Sequence, residues 1–194
     1  YTPTHTLSLH DALPIFRLRP EADPPDFLAV RGEVLMDKEG FQKLNKKRME
    51  AGMDPFANPR NAAAGTMRQL DPGQAEGKPL MVFFYEILKV EGAEFSSHWK
   101  KLKKIADWGL PVSAENRRAD SIKEVKERHR RLAEKRDGLD YEIDGMVIKL
   151  DDLDLRRDLG TRRRSPRWAL AWKFPPKKEV TRLEDITVQV DRTG

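Results

Sequence analysis

The chain has 194 residues, enough for one sizeable domain with its own core and the opening of a second. Charged residues make up 36% against 38% hydrophobic, and the net charge of +5 favours a polyanionic partner, because lysine and arginine gain binding free energy by releasing phosphate counterions. The lack of cysteine excludes a disulfide framework, a thiol nucleophile and a cysteine zinc site, and no apolar run is long enough to span a bilayer.

Residues 1–15 are set aside from fold reasoning. Thr6-Leu7-Ser8-Leu9-His10-Asp11-Ala12-Leu13-Pro14-Ile15 reads like the conceptual translation of a sequencing adapter, or else as an ordinary flexible leader. Residues 27–36 alternate apolar with small or charged side chains, which predicts a strand. Asp37 can cap a helix carrying Phe41, Leu44, Arg48 and Met49 that stops at Gly52. Asn58 can cap a second helix with Pro59 at its first position, where a missing N–H costs nothing. Residues 81–88 read as a buried strand and 97–109 as an amphipathic helix with Trp99, Leu102, Ile105 and Ala106 on one face. A very basic helix over 120–136 opens with Ser121 and Glu124 in capping-box spacing. Strands are expected over 141–150, with Tyr141, Ile143, Gly145, Val147 and Lys149 on one face, and over 167–174. Pro175-Pro176 with Lys177-Lys178-Glu179 marks a domain boundary, and Ile186, Val188 and Val190 alternate beyond it as the first strand of a small barrel would. The mixture predicts an α+β domain with antiparallel sheets.

Several side chains in these elements can carry phosphate chemistry. Glu33 follows Gly32 on a strand, where a carboxylate can accept from a ribose hydroxyl or simply face solvent. Lys149 ends an apolar strand, and Lys173 sits between Trp172 and Phe174. A lysine among apolar neighbours normally snorkels to water, but two on adjacent strands can converge on an anion. Asp144 is either a neighbour of magnesium, which prefers hard oxygen ligands, or a turn aspartate before Gly145; Glu142 is a weaker candidate two residues away. Arg60 and Arg68 flank Ala62, Ala63, Ala64 and Gly65, whose small side chains let a neighbouring protein or nucleic-acid backbone come close. Arg128, Arg130 and Arg131 read as a solvated face of the basic helix. Lys135-Arg136-Asp137-Gly138 satisfies a K-x-D-G pattern, yet Lys135 ends a long basic helix beside solvent, a poor setting for a nucleophilic lysine.

Five segments in order carry a family resemblance. They are Val30-Arg31-Gly32-Glu33-Val34, Asn58-Pro59-Arg60-Asn61-Ala62-Ala63-Ala64-Gly65-Thr66-Met67-Arg68-Gln69-Leu70-Asp71, Tyr141-Glu142-Ile143-Asp144-Gly145-Met146-Val147-Ile148-Lys149, Arg167-Trp168-Ala169-Leu170-Ala171-Trp172-Lys173-Phe174-Pro175 and Val188-Gln189-Val190-Asp191-Arg192-Thr193-Gly194. Together they strongly resemble the bacterial NAD-dependent DNA ligases. The resemblance implies a nucleotidyltransferase (adenylation) domain over residues 16–179, truncated at its N-terminus, with 180–194 beginning an oligonucleotide-binding (OB) fold. In that family the position matching Glu33 contacts the adenosine ribose. Those matching Lys149 and Lys173 hold the adenylate and stabilise charge on its α-phosphate. Those matching Arg60, Arg68 and Arg136 contact nicked DNA and the reactive phosphate.

The implied reaction has three steps. A lysine attacks the NAD α-phosphate and releases nicotinamide mononucleotide, the adenylate moves to the 5′-phosphate of a nick, and the 3′-hydroxyl displaces AMP. The nucleophilic lysine is expected upstream of the Glu33 segment and absent from this chain, which leaves the fragment inactive alone. NAD and magnesium (or manganese) near Asp144 are the implied cofactors, and nicked double-stranded DNA is the implied partner. A monomeric, cytoplasmic, membrane-free enzyme of DNA repair and replication is the implied setting. Two departures stand out: Asp191 where the family has glycine, and an unusually basic Arg162-Arg163-Arg164. One rival reading is an ATP-dependent nucleotidyltransferase of the ligase or capping type, which gives no reason for residues 58–71. The other is a non-catalytic basic module that only binds nucleic acid.

Overall fold

A computed structural model describes residues 16–68, 78–163 and 165–176, together with Arg182 and Asp185. The expected barrel strand beyond Pro176, with Asp191, lies outside the described residues, as do Gln69-Leu70-Asp71 and residues 1–15.

Two antiparallel ribbons frame the described fold. The first pairs β1 (Leu28–Met36) with β2 (Leu80–Val90), placing Glu33 opposite Phe83 and Met36 opposite Leu80. Between them in sequence run α1 (Lys38–Glu50) and α2 (Pro59–Met67). After β2 come α3 (His98–Asp107) and α4 (Ile122–Lys135). The second ribbon pairs β3 (Gly145–Lys149) with β6 (Ala169–Lys173), separated by α5 (Leu153–Leu159) and a small hairpin of β4 (Thr161–Arg162) and β5 (Ser165–Pro166). The expected α+β architecture with antiparallel sheets is what these elements form.

Each of the four long helices begins where a side chain can take up an unpaired N–H. Asp37 accepts from the amide of Gly40, Asn58 from Asn61, Ser97 from Lys100 and Ser121 from Glu124. Glu124 reaches back to the amide of Asp120, completing the expected reciprocal cap one residue early. Two apolar clusters hold the helices to the first ribbon. Met36, Leu44, Ala62, Ala63 and Leu80 bury α1 and α2 against one end. Ile87, Leu102, Ile105, Trp108 and Leu110 bury α3 against the other. The small residues of α2 therefore serve protein packing: Ala62 and Ala63 are fully buried, and a methyl group on Gly65 would meet the Phe56 ring at 2.9 Å.

Both strands of the second ribbon are shorter than the alternation predicts. β3 starts at Gly145 because the preceding segment is drawn to the first ribbon. The Tyr141 ring tilts against Phe83 at 5.2 Å and its hydroxyl meets Ser113 Oγ at 3.3 Å. Glu142 and Asp144 thus lie before the strand, not on one of its faces. β6 starts at Ala169, the amide of Arg167 being committed to the Gly160 carbonyl at 3.1 Å. Arg68 is the C-terminal cap of α2 and is exposed. Neither α5 nor the β4–β5 hairpin is anticipated by the sequence pattern. α5 is seeded by Asp152, which accepts from the amides of Asp154 and Leu155.

Candidate active site

The register of the second ribbon sets Gly145 opposite Lys173 and Lys149 opposite Ala169. Directly paired residues share a face, so both lysines leave the same face, about 13 Å apart along the strands. A glycine is required beside Lys173, since a Cβ on Gly145 would sit 2.4 Å from the Trp172 carbonyl oxygen. That face lines an open cleft shared with Glu33 from the other ribbon, Arg60 from α2 and Asp144. Of the sequence-predicted residues, Glu33, Arg60, Asp144, Lys149 and Lys173 come together there. Arg68 and Arg136 do not line it: the Arg136 guanidinium donates to the Pro175 carbonyl at 3.3 Å, beside Phe174.

Within the cleft Arg60, Lys149 and Lys173 each already have a carboxylate. Lys173 Nζ donates to Asp144 Oδ2 at 2.8 Å. Arg60 spans Asp144 and Glu33, with Nη1 3.6 Å from Asp144 Oδ2 and Nη2 3.7 Å from Glu33 Oε1. This chain of charges is open to solvent, with the Lys173 and Asp144 side chains 63% and 57% exposed. The hydrogen bond from Lys173, aided by the charges of Lys173 and Arg60, holds the Asp144 carboxyl below its usual range.

Lys149 is placed differently. Its Nζ lies 3.2 Å from Glu86 Oε2 and 3.5 Å from the Tyr85 carbonyl oxygen, and the two charged side chains are only 18% and 15% exposed. Glu86 also faces His98 Nδ1 at 3.6 Å, Lys101 Nζ at 3.8 Å and Arg156 Nη1 at 3.9 Å. Burial opposes ionisation of Glu86, yet the polar contact from His98 and the charge of Lys149 outweigh it and bring its pKa to about 2. Burial moves Lys149 below its ordinary value, with Glu86 resisting. Burial likewise lowers His98, which keeps the imidazole neutral at pH 7. Backbone contacts seat this network: the His98 amide bonds the Asp151 carbonyl at 2.8 Å and Leu153 bonds Ser96 at 3.1 Å, tying the end of β3 to the start of α3.

Glu86, His98 and Arg156 are absent from the sequence-based candidates. One signal was available for Glu86, a carboxylate inside the apolar run of residues 81–88, because a buried acid needs a partner. Arg128 departs from the solvated face expected of it and is half-buried against Glu115, whereas Arg130 and Arg131 bind Glu127 on the exposed side of α4. Lys135 ends α4 bonded to Glu115 at 2.6 Å, with its side chain exposed.

The donor set fits a phosphate-bearing substrate better than a resident metal ion. Arg60, Lys149 and Lys173 are among several cations that line the cleft, whereas no group of three histidine, aspartate or glutamate side chains converges among the described residues. Asp144 offers a single carboxylate already taken by Lys173 and Arg60, which does not fit a metal cage.

Residues 12–177 match the family profile described as the NAD-dependent DNA ligase adenylation domain. The chain belongs to that family. This adenylation-domain chain is 53% identical over 171 residues to the DNA ligase of Geotalea daltonii, an alignment covering 88% of the chain and 26% of that protein. It is 51% identical over 182 residues to the DNA ligase of Haloferax volcanii, covering 94% and 26%. It is 48% identical over 191 residues to the DNA ligase of Geobacter sulfurreducens, covering 98% and 28%. The adenylation-domain chain thus spans about a quarter of the length of the curated relatives it matches.

Proposed function

We propose that this chain holds the adenylyl part of NAD in the cleft between its two ribbons, as part of a DNA ligase that seals nicks in duplex DNA. The observation that supports this most is the shared face of Lys149 and Lys173, opposite Glu33. NAD, when bound, supplies the adenylyl group, with nicotinamide mononucleotide as the leaving group. Glu33 accepts from the ribose once Arg60 turns away from it. Lys149 and Lys173 face the α-phosphate from either end of the ladder, where fixed cations stabilise charge that develops as the bond breaks. Arg60, Arg68 and Arg136 take DNA phosphates, the role suited to planar, always-charged guanidinium groups. Asp144 serves as the counter-ion of Lys173 and Arg60.

The nucleophilic lysine comes from outside the described residues. Lys135 has the K-x-D-G pattern but is paired with Glu115 at a solvent-facing helix end, away from the Lys149 and Lys173 face. In the full-length ligase carrying this chain, replacing Lys149 and Lys173 together by alanine is expected to cut formation of the adenylyl-enzyme from NAD by roughly a hundredfold or more. Full NAD-dependent adenylation by that double variant would overturn the reading. The purified 194-residue chain alone is expected to take up no adenylate from NAD, and a covalent adenylyl-lysine on it would move the nucleophile into this chain.

A further inference from the structure

Glu86 occupies an unusual place on β2. It is a buried carboxylate facing three cations, Lys101, Lys149 and Arg156, and a neutral imidazole. Its Oε2 is the close partner of Lys149, and each of its other contacts is 3.6 Å or longer. The His98 Nδ1 atom is buried, aimed at Glu86 and without a hydrogen-bond partner. Arg156 is braced for the same purpose, its Nε donating to the Leu150 carbonyl at 2.5 Å and its guanidinium stacked 4.3 Å over Trp168. A lone lysine this far from water would lose its proton or swing outward. An acid fixed from the neighbouring ribbon prevents both.

We propose that Glu86 is the positioning residue for Lys149: it fixes the ammonium at the cleft wall and keeps it charged for the substrate phosphate. The proposal rests on the ligase reading above. An ammonium has three N–H donors. Glu86 and the Tyr85 carbonyl take two, which leaves one to meet a phosphate oxygen without releasing Glu86. Lys149 therefore needs no counter-ion exchange on binding, whereas the exposed Lys173, hydrogen-bonded to Asp144, can move with that partner to meet the substrate. The local charge stays in surplus, one acid against three bases, so the anchor does not cancel the attraction for phosphate.

The groups facing Lys149 are Arg31 from β1, Glu86 from β2, His98 and Lys101 from α3, and Asp151 and Arg156 after β3. Asp151 is occupied elsewhere, accepting from the Trp99 amide at 2.7 Å and lying 3.9 Å from Arg118 Nε. Removing the charge of Glu86 thus leaves Lys149 with Arg31, Lys101 and Arg156 nearby and only the already engaged Asp151 to oppose them, and its proton is lost at lower pH.

The test uses the full-length ligase that carries this chain, as wild type, Glu86→Gln and Glu86→Asp. Lysine amines are labelled by isotopic reductive methylation, and the Lys149 resonance, assigned through Lys149→Arg, is followed with pH. Glu86→Gln is expected to lower the Lys149 titration by about one pH unit. It should also move the alkaline limb of NAD-dependent self-adenylation down by the same amount and cut its rate roughly tenfold. Glu86→Asp keeps the charge but withdraws it by one methylene, so a smaller shift in the same direction and partial rescue of rate are expected. An unchanged Lys149 titration in either folded variant overturns the proposal. If wild-type enzyme forms no adenylyl-enzyme from NAD, the ligase reading falls, while the Lys149 titration still decides the role of Glu86.

Discussion

Lys149 and Lys173 leave the same face of one ribbon and meet opposite surroundings. Lys173 stands in solvent with Asp144 as its partner, while Lys149 is buried against Glu86, with His98, Lys101 and Arg156 around the same carboxylate. Pairs like the first contribute little to stability, because water and salt screen them and two long side chains must be ordered. In pairs like the second both ions have already been taken out of water, so neither partner can be removed without leaving a buried charge exposed to nothing that compensates it. The two ends of the ladder therefore play different parts. One end holds a preset cation, and the other holds a movable one that can answer to the substrate.

The largest effect that separates the two ends is on folding. Glu86→Ala is expected to lower the unfolding free energy by about 3–5 kcal/mol, since it strands buried cations. Asp144→Ala should cost less than about 1 kcal/mol. Urea unfolding of both variants in the full-length protein measures the difference, and equal losses would erase the distinction between the ends.

Acid sharpens the same contrast. The folded-state pKa of Glu86 is depressed from 4.5 to about 2. Its stabilising contribution is thus present above the unfolded value and is lost as pH falls from about 4.5 towards 2. The drop of 4.5 − 2, about 2.5 units, corresponds to roughly 3 kcal/mol at most. Stability measured at steps of pH should fall more steeply for wild type than for Glu86→Gln through that window. Parallel curves would show that Glu86 is not ionised in the buried network. Asp144 is shifted in the same direction, but its exposure leaves it a lesser part in the acid response.

Much of this arrangement was legible in the sequence wherever the causes are local. Asp37, Asn58 and Ser121 announce helix starts because a cap acts within three residues. Glu33, Lys149 and Lys173 stand out because an ionisable group at a fixed place in an apolar strand is unusual. The Lys149 network was not legible, because its members are separated by 63 residues between Glu86 and Lys149 and meet only through tertiary packing. The shortened β3 has the same origin. Residues 141–144 alternate as a strand would, but the pull of Phe83 and Ser113 on Tyr141 competes with pairing and prevails. The buried α2 alanines were legible as small, while the surface that needed them small was not; it proved to be the protein's own core.

Backbone geometry offers a way to disturb one end of the ladder alone. A Cβ at Gly145 would press on the Trp172 carbonyl and on the Cα of Lys173, which are backbone atoms with little room to move. Gly145→Ala is therefore expected to cost about 1–3 kcal/mol and to displace Lys173, with the Lys149 titration unchanged. Gly138→Ala, which meets nothing within 4 Å, is the matched control. A displaced Lys149 signal in Gly145→Ala would mean that the ribbon transmits strain along its length and that the two ends are not independent.

The smallest expected effect is also the most direct measure of how movable Lys173 is. A double-mutant cycle with Lys173→Met and Asp144→Asn should give a coupling of about 0.5 kcal/mol at low ionic strength. That coupling should fade as salt approaches about 1 M, where the screening length shrinks to roughly 3 Å, close to the 2.8 Å separation of the pair. The corresponding cycle for Lys149 and Glu86 should keep most of its coupling, because ions in solution do not reach a contact walled by His98 and Arg156. A salt-resistant Lys173–Asp144 coupling would indicate that the pair is fixed in place, and phosphate would then have to displace Asp144 at a cost. A weak, screened coupling means the reverse: Lys173 is held only loosely until an anion enters the cleft, and the energy of that entry is available for orienting the substrate.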